Sequence, residues 1–146
     1  MTRIDRDGIA ALIPHAGTMC LLDAVVRWDD RSIACRSARH RDPDNPLRRN
    51  DRLAAVCGVE FAAQGMAVHG ALAGSVAGRP RAGFLASVRD LVCREARLDL
   101  LAGDLVIEAE RLMGDEARAI YGFTLRSDDG LVVSGRAAVV LAAEAA

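Results

Sequence analysis

Alternating apolar and polar residues predict the strands in the second half of this chain. The clearest alternation runs from Ala117 to Arg126, where Ala119, Tyr121, Phe123 and Leu125 fall on one face. The same pattern predicts three more strands, Phe84 to Leu91, Leu105 to Leu112 and Leu131 to Leu141. Turn residues at 114–116 and 128–130 separate the last three strands and indicate antiparallel hairpins.

The first half of the chain predicts a hairpin and two helices. The apolar run Cys20 to Trp28 and the alternating segment Ser32 to Ser37 form the hairpin. Ile4 to Leu12 is a short helix that ends before Pro14. From Leu53 to Val76 the residues are apolar and small on every side, which is typical of a helix enclosed by other elements.

A membrane-spanning helix is the alternative for a run of this length. Glu60, Gln64 and His69 interrupt it with polar groups, which are costly inside a bilayer. Several predicted strands follow it as well. We therefore favour a helix buried in a protein core.

These elements fit an α+β fold in which one curved antiparallel sheet packs around one long central helix, the hotdog architecture. A chain of 146 residues fits one such domain, spanning 1–146. Sheet edges in this architecture usually pair across a two-fold axis. A dimer, with itself or with another hotdog subunit, is the expected working unit.

Composition and charge exclude several classes of protein. Hydrophobic residues make up 51% of the chain, the net charge is −1, and the pI is near 6.3, so no strong field draws nucleic acid or an anionic membrane. The N-terminus is too polar for a signal peptide, and the expected location is the cytoplasm. Four widely spaced cysteines lie beside apolar residues and are expected to be buried free thiols: Cys20, Cys35, Cys57 and Cys93.

Three motifs resemble those of the 3-hydroxyacyl-ACP dehydratases of the hotdog superfamily, in particular a divergent branch associated with aryl polyene biosynthesis clusters. They are Ile13-Pro14-His15 with Leu21-Leu22-Asp23, the run from Gly58 to Gln64, and Ala102-Gly103-Asp104-Leu105. The resemblance covers most of the chain. It implies that the acidic residue at the helix start, here Glu60, is catalytic.

The chain departs from this family at one important position. Typical members carry a catalytic histidine in an H-F-P-G segment before the helix, and the corresponding stretch here, Asn45 to Arg52, contains none. Either another histidine takes that role or a partner subunit supplies it.

Dehydration of a 3-hydroxyacyl thioester needs a base for the C2 proton and an acid for the departing C3 hydroxyl. Glu60, desolvated in the apolar helix, is the candidate acid, and His15 is the candidate base or orienting group. Gly58 and Gln64 are candidate substrate-binding residues, because helix N-terminal N–H groups can stabilise charge on the thioester oxygen and Gln64 shares a helix face with Glu60. The alternatives are a solvated or capping glutamate and a histidine that only holds its loop.

The other histidines have simpler interpretations. His40 lies in a polar loop and is expected to be exposed, whereas His69 is expected to be a satisfied core or interface residue. The histidine and cysteine spacings match no metal motif, and no phosphate-binding loop occurs, so chemistry without metal or cofactor is expected.

The loop before the helix, Arg39 to Arg52, is polar and basic. Arg48 and Arg49 could steer an acidic acyl carrier protein to the site, or the loop could simply be solvated.

Three functions remain open from the sequence. The first is a dehydratase that converts carrier-bound 3-hydroxyacyl groups into trans-2-enoyl groups, in fatty-acid-like or polyene biosynthesis. The second is a non-catalytic hotdog subunit of a heteromeric dehydratase. The third is an acyl thioesterase that uses Glu60 to activate water.

Overall fold

The computed structural model describes residues 3–13, 17–73, 83–115 and 117–141. Its seven strands are β1 (Ile4–Asp5), β2 (Ala24–Trp28), β3 (Ser32–Ser37), β4 (Gly83–Cys93), β5 (Leu105–Gly114), β6 (Arg118–Ser127) and β7 (Gly130–Leu141). They form one antiparallel sheet in the order β1-β2-β3-β5-β6-β7-β4. The two α-helices are α1 (Arg6–Leu12) and α2 (Gly58–Ala73).

Helix α2 packs against one face of the sheet, with contacts to β3, β5 and β6. The alternation predicted for β6 determines this face, because Ala119, Tyr121, Phe123 and Leu125 are all buried. Phe61 of α2 is completely buried in the same core. The predicted architecture of one antiparallel sheet and one central helix is confirmed.

The long helix begins later than the sequence pattern predicts. Leu53 and Ala55 are buried like helix residues, but their backbones bond to the loop that leads from β4 to β5. The N–H of Ala55 donates to the carbonyl of Ala96 at 2.9 Å, and the N–H of Leu98 donates to the carbonyl of Leu53 at 2.8 Å. A short 3-10 turn, Ala55–Cys57, then leads into α2.

The first helix also begins later than predicted, since Ile4 and Asp5 pair with β2. The Asp5 side chain caps α1 by accepting from the N–H of Gly8 at 3.0 Å. Strand β2 begins at Ala24, so Cys20 to Asp23 are a segment without regular secondary structure that leads into the sheet. The β2–β3 hairpin is confirmed.

Strand β4 lies at one edge of the sheet, beside β7. Several apolar residues of β4 are exposed, including Leu85, Leu91 and Val92. Cys93 is also exposed on this strand and Cys57 is half-buried, so the prediction of buried thiols is correct only for Cys20 and Cys35. Within the described ranges, no helix has the length and apolar character needed to cross a membrane.

Candidate functional site

Glu60 lies in the first turn of α2 and is exposed. The sequence pattern predicted a carboxyl desolvated in an apolar helix, and for the chain by itself that prediction is wrong. The reason is the direction of the side chain, because Gly58 in the same turn is buried against the sheet, whereas Glu60 lies on a side of the helix that the chain leaves uncovered. One turn later on the same helix, Gln64 is only 3% exposed.

Gly58 is buried where α2 begins, beneath the sheet. A Cβ atom at this position would lie 3.0 Å from Cδ2 of Leu125 and 3.4 Å from Cγ2 of Val133. Its N–H donates to the carbonyl of Ala55 in the preceding turn. The absence of a side chain at Gly58 therefore lets the start of α2 lie close to β6 and β7.

Gln64 uses both ends of its amide to hold the segment before β2. Its Oε1 accepts from the N–H of Leu21 at 2.8 Å, and its Nε2 donates to the carbonyl of Met19 at 2.6 Å. The buried hydroxyl of Ser37 donates to the carbonyl of Leu21, and Arg6 donates to the carbonyls of Gly17 and Leu22. An irregular segment is thereby fixed against the helix that carries Glu60.

His15, predicted to act with Glu60, lies outside the described residues. The fixed segment that Gln64 holds begins two positions further along the chain, at Gly17. The pairing of His15 with Glu60 therefore stays a prediction from the sequence.

The stretch Asn45 to Arg52, which stands where the family has its histidine segment, is held by side-chain hydrogen bonds. Asn45 is 5% exposed, and its amide donates to the carbonyl of Arg39 at 2.9 Å. The Arg48 guanidinium donates to the carbonyls of Asp42, Asp51 and His40 at 2.8, 3.2 and 3.3 Å. Arg48 is thus occupied with its own loop, whereas Arg49 is exposed.

His40 is completely buried, so the prediction of an exposed histidine is wrong. It lies in a 3-10 turn, Arg39–Arg41, that directs the imidazole inward, where Nε2 donates to the carbonyl of Leu101 at 3.0 Å. No described group bonds to its Nδ1. Burial lowers the pKa of His40, so the ring is held in the neutral form.

His69 is a satisfied core histidine, as predicted. Its Nε2 donates to the carbonyl of Asp29 at 2.9 Å, and its Nδ1 accepts from the Tyr121 hydroxyl at 2.7 Å. Burial lowers the pKa of His69, which keeps the ring neutral and fits one donating and one accepting nitrogen. These bonds join the second half of α2 to β6 and to the β2–β3 turn.

Exposed apolar side chains flank the start of α2. Val56, in the turn before the helix, is 56% exposed, and Leu100, in the loop that pairs with this turn, is 70% exposed. Val56 precedes Glu60 by four residues, so an exposed apolar side chain and an exposed carboxyl both lie at the start of α2.

A groove of about 690 Å³ lies elsewhere, on the face of the sheet turned away from α2. Its lining is mostly polar and includes Glu108, Thr124, Arg126 and Arg136. None of the site residues predicted from the sequence lines it. Within it, Glu108 forms ion pairs with Arg27 and Arg126.

The family comparison agrees with the observed fold. The family model for ApeP-like proteins, described as ApeP dehydratase, matches residues 8–146. The chain belongs to the ApeP-like dehydratase family. The resemblance inferred from the helix motif is therefore confirmed. Among proteins of curated function, none matches the sequence.

Solved structures support the hotdog fold of this ApeP-like chain. It is similar to the dehydratase heterocomplex ApeI:P from Xenorhabdus doucetiae, with a TM-score of 0.81 and 20% identity over 93% of this chain and 91% of that one. A hypothetical thioesterase with coenzyme A from Streptococcus pneumoniae TIGR4 gives 0.60 and 10%, over 84% and 87%. Zebra fish thioesterase superfamily member 2 gives 0.62 and 14%, over 94% and 95%. At these identities the similarity establishes the fold.

The hydrogen-bond partners of several supporting residues were not predicted from the sequence. Ser37, Asp23 and Tyr121 all bond groups far away in the chain, and only the fold brings their partners near. The two oxygens of Asp23, for example, take bonds from Arg6 and from the N–H of Ala38. A residue with a polar group on the apolar face of a strand is a signal that applies to Tyr121, whereas Ser37 lies between Arg36 and Arg39 and has no such signal.

Proposed function

We propose that this ApeP-like chain takes part in dehydrating 3-hydroxyacyl thioesters, carried on an acyl carrier protein, to trans-2-enoyl thioesters, in fatty-acid-like or polyene biosynthesis. The observation that carries the proposal is the carboxyl of Glu60 at the exposed start of α2, in a chain of a dehydratase family. The exposed apolar side chain of Val56, four residues before Glu60, suits contact with an acyl chain.

In the proposed reaction a base removes a proton from C2, the C3–oxygen bond breaks, and the protonated Glu60 gives its proton to the leaving hydroxyl, so that water departs. The double bond forms between C2 and C3. The positive end of the α2 dipole favours the negative charge that develops on the thioester oxygen. His15 is the proposed base or orienting group.

We further propose that the site is completed by a second hotdog subunit. A partner surface over Glu60 would exclude water and favour its neutral, proton-donating form. The exposed edge strand β4 offers unpaired backbone groups and the apolar side chains of Leu91 and Val92 for such a partner. The heteromeric ApeI:P assembly supports a partner that is different from this chain.

The test is to assay the purified chain alone, and again with a candidate hotdog partner, against a 3-hydroxyacyl-ACP. Enoyl absorbance and product mass are followed. We expect turnover with the partner, and a loss of at least about 100-fold in kcat with Glu60→Gln, the scale typical of removing a general acid. His15→Ala should cause a similar loss if His15 is the base.

Two results would contradict the proposal. Full activity of Glu60→Gln in the complex would remove Glu60 from the chemistry. Release of free thiol without an enoyl product would identify a thioesterase instead.

A further inference from the structure

Two arginines lie side by side at the tip of the loop before α2. The N–H of Arg49 donates to the carbonyl of Arg52 at 2.8 Å, and the N–H of Arg52 donates back to Arg49 at 2.9 Å. The two residues between them, Asn50 and Asp51, have φ values of 52° and 60°. This is a two-residue hairpin turn, and Asn and Asp are the non-glycine residues that best tolerate left-handed backbone.

Such a turn fixes the two side chains on the same side of the ribbon. Residues that exchange both backbone bonds lie directly opposite, with Cα atoms about 5.5 Å apart. Like charges in this arrangement repel each other. Arg49 and Arg52 are both exposed, and no described carboxylate forms an ion pair with either.

The neighbouring arginine shows the contrast. Arg48 is half-buried and donates to three carbonyls of the same loop. These hydrogen bonds hold Arg48 against its own loop, whereas the side chains of Arg49 and Arg52 are exposed to solvent. Of the two arginines predicted to dock a carrier, only Arg49 is free to contact a ligand.

The pair also lies close to the start of α2. Arg52 directly precedes the segment 53–57 that leads into the helix. Burial raises the pKa of the Cys57 thiol, the charge of Glu60 raises it further, and the charge of Arg49 lowers it. The charges of Arg49 and Glu60 therefore both act on the same half-buried side chain.

We propose that Arg49 and Arg52 together bind the phosphate of the 4′-phosphopantetheine arm that carries the acyl thioester. A phosphate has several acceptor oxygens around one centre, and guanidinium groups bind it through paired hydrogen bonds. Two closely spaced arginines suit one such compact anion better than carboxylates spread over a protein surface. The arm is common to acyl carrier proteins and coenzyme A, and the proposal rests on the thioester substrate proposed above.

The test compares binding of 4′-phosphopantetheine with binding of pantetheine, which lacks the phosphate, by calorimetry. The chain is used alone and with its partner subunit. We expect the phosphorylated arm to bind about tenfold more tightly, the scale of one charge-assisted hydrogen-bonded contact. The double variant Arg49→Gln/Arg52→Gln should reduce this preference to less than about twofold.

Arg31→Gln is the matched control. Arg31 is exposed in the β2–β3 turn, near the end of α2 where His69 bonds Asp29, and it should keep the full preference. Thermal unfolding of both variants verifies that each is folded. Absence of a phosphate preference in the wild-type protein, or its retention in the double variant, would overturn the proposal.

Two further outcomes separate this inference from the dehydratase proposal. If the double variant slows only carrier-linked substrates and binds the free arm normally, the pair contacts the carrier's surface and the phosphate assignment is wrong. If the phosphate preference depends on the pair but no enoyl product forms, the phosphate site stands and the dehydratase proposal fails.

Discussion

At the scale of single residues, buried polar side chains connect parts of the chain that are distant in sequence. Gln64 bonds Leu21 and Met19, and His69 bonds Tyr121 and Asp29. In each case a side chain of α2 bonds a group of a buried residue, Leu21 or Tyr121, that would otherwise lack this partner. Such groups are expensive when a partner is lost, so these residues define the position of the helix.

Gln64→Leu tests this function of the amide. The substitution leaves the N–H of Leu21 and the carbonyl of Met19 without a partner, so we expect the free energy of unfolding to fall by about 1–3 kcal/mol. Urea-induced unfolding measures it. Glu60→Gln, one turn earlier and exposed, is the control and should change stability by less than about 1 kcal/mol. Equal stabilities for Gln64→Leu and the wild type would contradict this view of Gln64.

His69 was predicted correctly and His40 was not, because their neighbours in the sequence differ while the partners of both are distant. His69 follows from its position on an enclosed helix, since polar groups there must be satisfied. His40 was mispredicted because its sequence neighbours are charged, while its partner, the Leu101 carbonyl, comes from a loop far along the chain. The exposure of Glu60 was missed because the apolar pattern does not reveal which side of an enclosed helix the rest of the chain leaves uncovered.

At the scale of elements, local patterns gave the strands but not the exact start of α2. Strands β3 to β7 follow from alternation and turn residues within one or two positions. In β3, β5, β6 and β7 the alternation reflects one face on the core, whereas in β4 only Val88 is half-buried among the described side chains. The segment 53–57 has the composition of a helix. It is drawn into backbone bonds with residues 96–98, which no local pattern shows.

Two glycines of α2 should respond in opposite directions to alanine. At Gly58 the added methyl group meets Leu125 and Val133, which are both fully buried, so Gly58→Ala should lower the free energy of unfolding by about 1–3 kcal/mol. At Gly70 no described atom lies within 4 Å of the new methyl group, and Gly70→Ala should raise stability by about 0.5–1 kcal/mol. Thermal and urea unfolding of both variants checks the pair. A destabilised Gly70→Ala would show that the helix is more tightly enclosed there.

At the scale of the whole molecule, two buried neutral histidines make stability depend on pH. Burial lowers the pKa of both His40 and His69, whereas a histidine in the unfolded chain has a pKa of about 6.5. As the pH falls below that value, the unfolded chain takes up protons that the folded chain does not, and the free energy of unfolding decreases.

We therefore expect lower stability at about pH 5.5 than at about pH 7.5, measured by urea unfolding. Aspartates such as Asp29 and Asp99, whose pKa values are lowered, lose their contribution only at more acidic pH. The double variant His40→Gln/His69→Gln should show a smaller change between these two pH values. An unchanged or rising stability of the wild type on acidification would contradict the expectation.

The position of β4 in the sheet also determines when the protein can finish folding during its synthesis. Gly83 pairs with Leu141 and Cys93 pairs with Val133, so β4 is joined to β7, which the ribosome makes after β5 and β6. Until β7 leaves the exit tunnel, the nascent chain carries β4 without its neighbour, and strands with open edges are prone to pair with other chains. The addition of β4 to the sheet therefore waits for β7 to be translated.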